Sequence, residues 1–381
     1  MIDLKDYGID MWEADKIASF REKLLSWYDD NKRDLPWRRS TNPYHIWVSE
    51  IMLQQTRVDT VIPYYERFLT WFPEIKDLAE APEEKILKAW EGLGYYSRVR
   101  NMQAAAQQIM EDFKGQFPAT YEEIATLKGI GPYTAGAIAS IAFNLPEPAV
   151  DGNVMRVMAR LFEVDYDIGN PSNRKIFQAI MEQLIDPERP GDFNQALMDL
   201  GSSIETPVHP RPEESPVKEF SAAYLHGTMD KYPIKAPKKK PVPIYLKGFI
   251  LENAEGKFLL EKNENDGLLA GFWHFPLIES EEGSTTQLSL FEEQGASQGP
   301  SAIERFEQDY DMVVSWQATV FSQVQHVFSH RKWHIDLLYG KVKGNIPTLS
   351  GETRWLSPDE FADYPFAKPQ QKMWAAFEKG K

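Results

Sequence analysis

The chain reads as a multidomain protein, an all-α domain followed by an α+β domain, and three observations predict this. Residues 1–230 repeat apolar side chains three and four apart, the period of helices that bury one face. At 231–243 the text changes to KYPIKAPKKKPVP, where four prolines and five lysines in thirteen residues make a stiff, extended, cationic linker. From 244 to 381, strand-like runs dominate until a last helix closes the chain. A length of 381 residues agrees with two domains.

In order, helical periodicity marks ADKIASFREKLLSWYDDN (14–31), PYHIWVSEIMLQQTRVDTVIPYYERFLTWF (43–72), EEKILKAWEGLG (83–94), VRNMQAAAQQIMEDF (99–113) and SNRKIFQAIMEQLI (172–185), with Gly, Pro and Asn in the gaps. Past the linker, IYLKGFILEN and KFLLEKN flank a short NAEG turn and read as a β-hairpin. WQATVFSQV (316–324) and WHIDLLYGKV (333–342) read as further strands, and KPQQKMWAAFEK (368–379) as the closing helix. Residues 281–300 read as a long loop, and there is no internal repeat.

Composition narrows the class. Apolar residues at 42% and charged residues at 26% are ordinary for a globular protein. No apolar run is long enough for a membrane span, and the acidic N-terminus lacks a signal-peptide core. The absence of Cys excludes disulfides and thiolate metal sites, so the cell interior is the expected home. A net charge of −15 taken alone argues against binding nucleic acid. Its distribution matters more. Acid is dense at 279–311, whereas basic residues group at Arg33, Arg38 and Arg39, at Arg98 and Arg100, at Arg156 and Arg160, and at Lys238, Lys239 and Lys240. A local basic surface is compatible with the acidic total; solvated scattered charge is the plainer alternative.

Three motifs carry chemistry. In LKGIGPYTAGAIAS (127–140), two glycines suit a tight turn and Pro132 suits the first position of the next helix. The free N–H groups at that helix start can hold a phosphate, although an ordinary helical hairpin would read the same way. Ala135, Gly136, Ala139 and Ser140 form a small-residue stripe for close packing. In VDGNVMRVMARLF, Asp151 opens an amphipathic helix, as an N-cap or as a carboxylate held ionised by the helix N-terminus, two compatible readings. In PYHIWVSEIMLQQTRV, Glu50 falls four after Ile46, three after Trp47 and three before Leu53, among apolar residues. Desolvation there raises a carboxyl pKa and makes a usable general acid, unless an arginine pairs with it at a helix seam. One carboxyl expected to hold a proton and one expected to stay ionised is the pairing that cleaves glycosidic bonds. With a phosphate grip beside it, the bond indicated is an N-glycosidic bond in DNA.

On LPWR (35–38), VSEIMLQQTRV (48–58), AWEGLGYYSRVRN (89–101), LKGIGPYTAGAIAS, AVDGNVMRVMARL (149–161) and FNQALMDLG (193–201), the chain resembles the adenine DNA glycosylase family of the helix–hairpin–helix glycosylase superfamily. The resemblance spans most of the chain and divides it into a glycosylase domain at 1–230, the linker, and a second domain at 244–381. It implies that Glu50 protonates N7 of a flipped adenine and that Asp151 stabilises or traps the sugar cation. Tyr133 and Asn153 would organise that cation, the water and Asp151. Gln55 and Tyr95 match residues that enter the base stack near the lesion, Leu53 and Thr56 neighbouring DNA-contacting positions, and Arg33, Trp37 and Arg38 the adenine-pocket wall. Gly129 and Gly131 would meet the DNA backbone. A related family that also cuts the strand has a lysine where Tyr133 stands, so a monofunctional enzyme is expected. Partners would be duplex DNA carrying adenine opposite 8-oxoguanine or guanine, met by a monomer in a bacterial cytoplasm.

The second domain resembles a Nudix fold at GLLAGFWHFPL (267–277), without the metal-binding catalytic helix; SAIERFEQDYDM (301–312) is a worn remnant of it. In the family this domain reads 8-oxoguanine, and HVFSHRKWH (326–334) resembles its recognition loop, with Phe328, Ser329 and His330 as contacts. The departure lies at 205–221. Spacing puts Glu205, Pro212, Ser215 and Ser221 on the family's four iron–sulfur cysteine positions. Hard carboxylate and hydroxyl groups suit no such cluster. The expectation is a clusterless loop held by direct side-chain contacts involving His209, Arg211 and Glu205, no cofactor, and at most one cation on carbonyls near Gly129 and Gly131.

Overall fold

The computed structural model describes residues 2–237, 240–264, 267–280, 301–317, 320–344, 349 and 351–381. The loop expected at 281–300, with Lys238 and Lys239 of the linker, lies outside the described residues. The chain divides into two compact units, Met1–Glu80 with Ser97–Pro237, and Ala81–Tyr96 with Lys238–Lys381.

The first unit is helical: α1 (Ala14–Asn31), α2 (Pro43–Leu53), α3 (Val58–Trp71) and α4 (Ile75–Ala79) precede α5 (Glu83–Ala89), which groups with the second unit. Then come α6 (Ser97–Asp112), α7 (Tyr121–Thr126), α8 (Pro132–Phe143), α9 (Gly152–Phe162), α10 (Arg174–Leu184), α11 (Pro190–Ser203) and the short α12 (Ala222–Leu225). The periodic run 43–72 is two helices, not one. The chain breaks at 54–57, where Gln55 takes a left-handed φ of 58°, a conformation that ends an α-helix. Arg98 secures the break by donating from Nη1 to the carbonyls of Ile51 at 2.6 Å and Gln54 at 2.7 Å, which α2 leaves without intrahelical partners.

The α7–α8 turn follows the expected path, with Pro132 opening α8. Gly129 has φ +76°, and a Cβ there would stand 2.6 Å from that of Asn101, so both conformation and space call for glycine. Of the two glycines that suit the turn, only Gly129 needs that freedom; the φ of −95° at Gly131 is open to any residue. The small-residue stripe does pack closely. A Cβ on Gly136 would lie 2.1 Å from the Pro148 carbonyl oxygen. One core joins α1, α9, α10 and α11 through Phe20, Leu24, Met158, Phe177, Ile180 and Phe193, and Val217 and Phe220 of the 205–221 loop enter it.

The second unit holds a mixed sheet: β1 (Val242–Glu252), β2 (Phe258–Lys262), β3 (Trp273–His274), β4 (Leu277–Ser280), β5 (Val313–Trp316), β6 (Ser322–Val327), β7 (Arg331–Lys343) and β8 (Thr353–Leu356), with α13 (Ala302–Tyr310) and α14 (Lys368–Gly380). Its main path runs β3-β2-β1-β7-β5, and β1 and β7 pair in parallel. Alternate residues of β1 serve the two faces. Leu246 and Ile250 pack with Met373 and Phe377 of α14, and Phe249 and Leu251 with Phe306 of α13. Of the expected strand 316–324, residues 318 and 319 lie outside the described residues; Trp316 ends β5 and 322–324 open β6, which pair with β7 at different stretches.

Candidate active site

The site starts from α2, where every residue from Ile46 to Met52 is buried. Glu50 is 6% exposed, and its Oε2 accepts a 2.6 Å hydrogen bond from the Tyr133 hydroxyl. Tyr133 is delivered by the first turn of α8, just behind Pro132. Burial pushes the Glu50 carboxyl up to about 7; the Tyr133 bond opposes the shift, nearby Asp151 adds to it and Arg38 opposes it. Burial and the neighbouring Glu50 hold the Tyr133 phenol well above its ordinary range, so it is a neutral donor.

Asp151 caps α9. Its Oδ1 accepts from the backbone N–H groups of Asn153 at 2.8 Å and Val154 at 2.7 Å, and its Oδ2 from Asn153 Nδ2 at 2.8 Å. Both cap and carboxylate readings thus describe one geometry. The ionised state is less favoured than the helix start alone implied. Burial raises the Asp151 carboxyl above the usual range, against the pull of these hydrogen bonds and of Arg156.

Arg33 and Arg38 converge on one buried carboxylate, Asp199 of α11, which is 3% exposed. Arg38 Nη1 reaches Asp199 Oδ2 at 2.7 Å, Arg33 grips Oδ1 through Nε and Nη2, and Arg38 Nε donates to Gln195 Oε1 at 3.1 Å. Neither Asp199 nor Gln195 stood out in the sequence. The usable signal was the one that exposed Glu50: an acid inside a helix, FNQALMDLG, whose other residues are mostly apolar.

Eleven of the residues singled out in the sequence wall one cleft of about 820 Å³: Arg33, Trp37 and Arg38, Glu50, Leu53, Gln55 and Thr56, and Gly131, Tyr133, Asp151 and Asn153. Gly129 lines a separate, smaller cavity with Trp47 and Asn101. Tyr95, Phe328, Ser329 and His330 belong to the second unit. There, Phe328–His330 form the tip between β6 and β7, closed by Phe328 N–H donating to the Arg331 carbonyl at 2.8 Å. Phe328 packs edge-on to Trp333, Ser329 and His330 are exposed, and the Ser329 hydroxyl is hydrogen-bonded to that of Tyr95. Gln55 and Tyr95, the two residues matched to base-stack positions, are both exposed and left-handed, with φ of 58° and 48°. Such backbone strain in non-glycine residues gathers at ligand-contacting sites.

The residues at 205–221 do not fit an iron–sulfur cluster. The Glu205 carboxylate is committed to Arg160 at 2.7 Å, with both side chains buried. Ser221 donates to the Arg160 carbonyl at 3.2 Å and caps α12, Ser215 accepts from Val217 N–H, and Pro212 opens a 3₁₀ turn. Of the expected anchors only Glu205 is buried in this way. Arg211 bonds the Ser203 carbonyl and pairs with exposed Glu214, and His209 is exposed with φ 56°; the buried partner is Arg160 of α9. Among the described residues, no cluster of three His, Asp or Glu side chains could hold a metal ion.

A helical fold with this hairpin and a cleft holding the buried Glu50 carboxyl and the part-buried Asp151 carboxyl defines a helix–hairpin–helix DNA N-glycosylase. Residues 48–185 match the HhH-GPD superfamily of base excision DNA repair proteins, and residues 248–376 match a NUDIX domain. The chain belongs to the adenine DNA glycosylase family. It is 35% identical to the adenine DNA glycosylase of Rattus norvegicus over 95% of this chain and 78% of that protein. It is 37% identical to that of Buchnera aphidicola (Acyrthosiphon pisum) over 69% of this chain and 75% of that one. Among solved structures, a thermostable thymine-DNA glycosylase aligns with 56% of this chain and 98% of its own, at TM-score 0.50 and 27% identity.

Proposed function

We propose that the protein removes adenine mispaired with 8-oxoguanine or guanine from duplex DNA and leaves the strand uncut. The observation that carries this reading is the buried Glu50, hydrogen-bonded by Tyr133, in the same cleft as Asp151, the cap of α9. A carboxyl whose pKa sits at about 7 keeps its proton at neutral pH for much of the time. Delivered to N7 of a flipped adenine, that proton turns the base into a neutral leaving group. The sugar becomes oxocarbenium-like, and the Asp151 carboxylate supplies the compensating charge before water adds. Asn153, bonded to Asp151 through backbone and side chain, fixes its orientation. The base must leave the stack first, a cost of a few kcal/mol that is least at a mispair.

Tyr133 offers a phenol where strand-cutting relatives have an amine, so no imine forms with the sugar. The exposed Ser329 and His330 offer a hydroxyl and an imidazole that can read the altered edge of 8-oxoguanine. Single-turnover cleavage of duplexes with adenine opposite 8-oxoguanine, adenine opposite guanine, or thymine glycol tests the assignment. Adenine release from the first two with no strand scission is expected. Excision of thymine glycol instead would indicate a glycosylase for another damaged base, and binding without excision a lesion-binding protein.

A further inference from the structure

Two arginines one turn apart on α9, Arg156 and Arg160, grip the same residue of the 205–221 loop. Arg156 Nε donates to the Glu205 backbone carbonyl at 2.6 Å, and Arg160 Nη1 to its carboxylate at 2.7 Å. All three side chains are buried, at 6%, 3% and 4% exposure. Arg160 also donates to the carbonyls of Thr206 at 3.2 Å and Tyr232 at 3.1 Å, so it ties α9 to both the loop and the chain beyond it. Arg156 extends the other way. Its Nη2 donates to the Gly201 carbonyl at 2.6 Å and to Asn153 Oδ1 at 2.7 Å, and the Asn153 amide in turn donates to Asp151 Oδ2 at 2.8 Å. Charge balances along this line, with two buried cations against Asp151 and Glu205. Removing Glu205 alone would leave like charges four residues apart and buried.

We propose that the Glu205–Arg160 ion pair replaces a metal cluster as the anchor of loop 205–221, and that through Arg156 and Asn153 it is a positioning device for Asp151. The anchor stands at the first of the four positions where the family resemblance places cysteine. It reaches the cleft by hydrogen bonds of 2.6–2.8 Å. Glu205 and Arg160 do not touch substrate; they act through Arg156, whose guanidinium is held between the Glu205 carbonyl and the Asn153 amide. The second half of the inference rests on the role proposed for Asp151.

The test compares the full-length protein with Glu205→Gln, with the double variant Glu205→Gln/Arg160→Met, and with Arg156→Lys, on a duplex carrying adenine opposite 8-oxoguanine. The double variant removes both buried charges and avoids the orphaned arginine that can prevent Glu205→Gln from folding. Arg156→Lys keeps the ion pair and the charge but cannot serve three acceptors in the geometry of a guanidinium. Single-turnover rate constants, reaction amplitudes, duplex affinity and melting temperature are measured together. A rate constant at least about tenfold lower in the double variant and in Arg156→Lys, with duplex affinity within about threefold of the parent, is expected, since small displacements of a reacting group carry penalties of this size. A merely structural role lowers amplitude or melting temperature and leaves the rate constant unchanged; that result in either variant overturns the inference. Asp151→Asn serves as the control. Parent-like excision by Asp151→Asn refutes the role of Asp151 itself. A dead Asp151→Asn beside fully active loop variants refutes only the relay.

Discussion

Replacing Tyr133 by Phe should move the pH dependence of excision toward alkaline pH. With its carboxyl at about 7, Glu50 loses its proton across the neutral range. The single-turnover rate constant of the parent should therefore fall about tenfold between about pH 6 and about pH 8, following the protonated fraction of the general acid. The Tyr133 hydroxyl, 2.6 Å from Oε2, favours the ionised form. A hydrogen bond to a charged group is worth roughly 1.5–3 kcal/mol, so its loss should raise the Glu50 pKa by about one unit. The charged neighbours that act on Glu50, Asp151 and Arg38, remain. The assay is a rate–pH profile on adenine opposite 8-oxoguanine under single-turnover conditions, with the alkaline limb fitted separately from the plateau. Plateau height also responds to any loss of positioning by the phenol; the midpoint of the limb does not. A midpoint that stays in place, or moves to lower pH, would refute Glu50 as the titrating acid.

Asp199→Asn should move the same limb the opposite way, because the Arg38 charge it now balances would act on Glu50 unopposed and favour its ionised form; an unchanged profile rules out that coupling. Glu50→Gln should abolish excision, retain lesion-duplex binding, and stabilise the fold increasingly as pH rises above 4.5, with nearly the full gain by about pH 7. Glu50 has a folded pKa above its unfolded value of 4.5, so stability is lost as pH rises from that value through about 7. The substitution should recover about 3 kcal/mol at about pH 8 and nothing below the unfolded pKa, read as a pH-dependent gap in melting temperature. Tyr133→Lys should introduce an adduct trapped by borohydride, since an amine there can attack the sugar C1′; no adduct would count against the placement of position 133. Ser329→Ala with His330→Ala should reduce the preference for 8-oxoguanine over guanine opposite adenine by roughly 1–3 kcal/mol, measured as the ratio of excision rates and affinities for the two duplexes.

How much was legible follows the range of the forces involved. Periodicity and capping act within a few residues, so α1 appeared in the sequence with its observed ends, Asp151 as a cap, and Glu50 as a buried acid on an apolar helix. The break at 54–57 was not legible. Its residues are compatible with helix, and it is held by Arg98, more than forty residues away along the chain. The β5–β6 break escaped for the same kind of reason, since register against β7 decides it rather than local propensity.

The sequence by itself determined the division into a helical and an α+β part, the family, the lack of any thiolate to hold a cluster, and most of the residues that wall the cleft. Tertiary structure alone decided which charges meet. Asp199 takes Arg33 across 166 residues, and Glu205 takes Arg160 across 45, out of 57 acidic and 42 basic side chains. Residue type states that such a charge needs a partner once it is buried. Only the packing of α9 and α11, with the loop that follows α11, determines which charges are buried and which partner lies within hydrogen-bond reach.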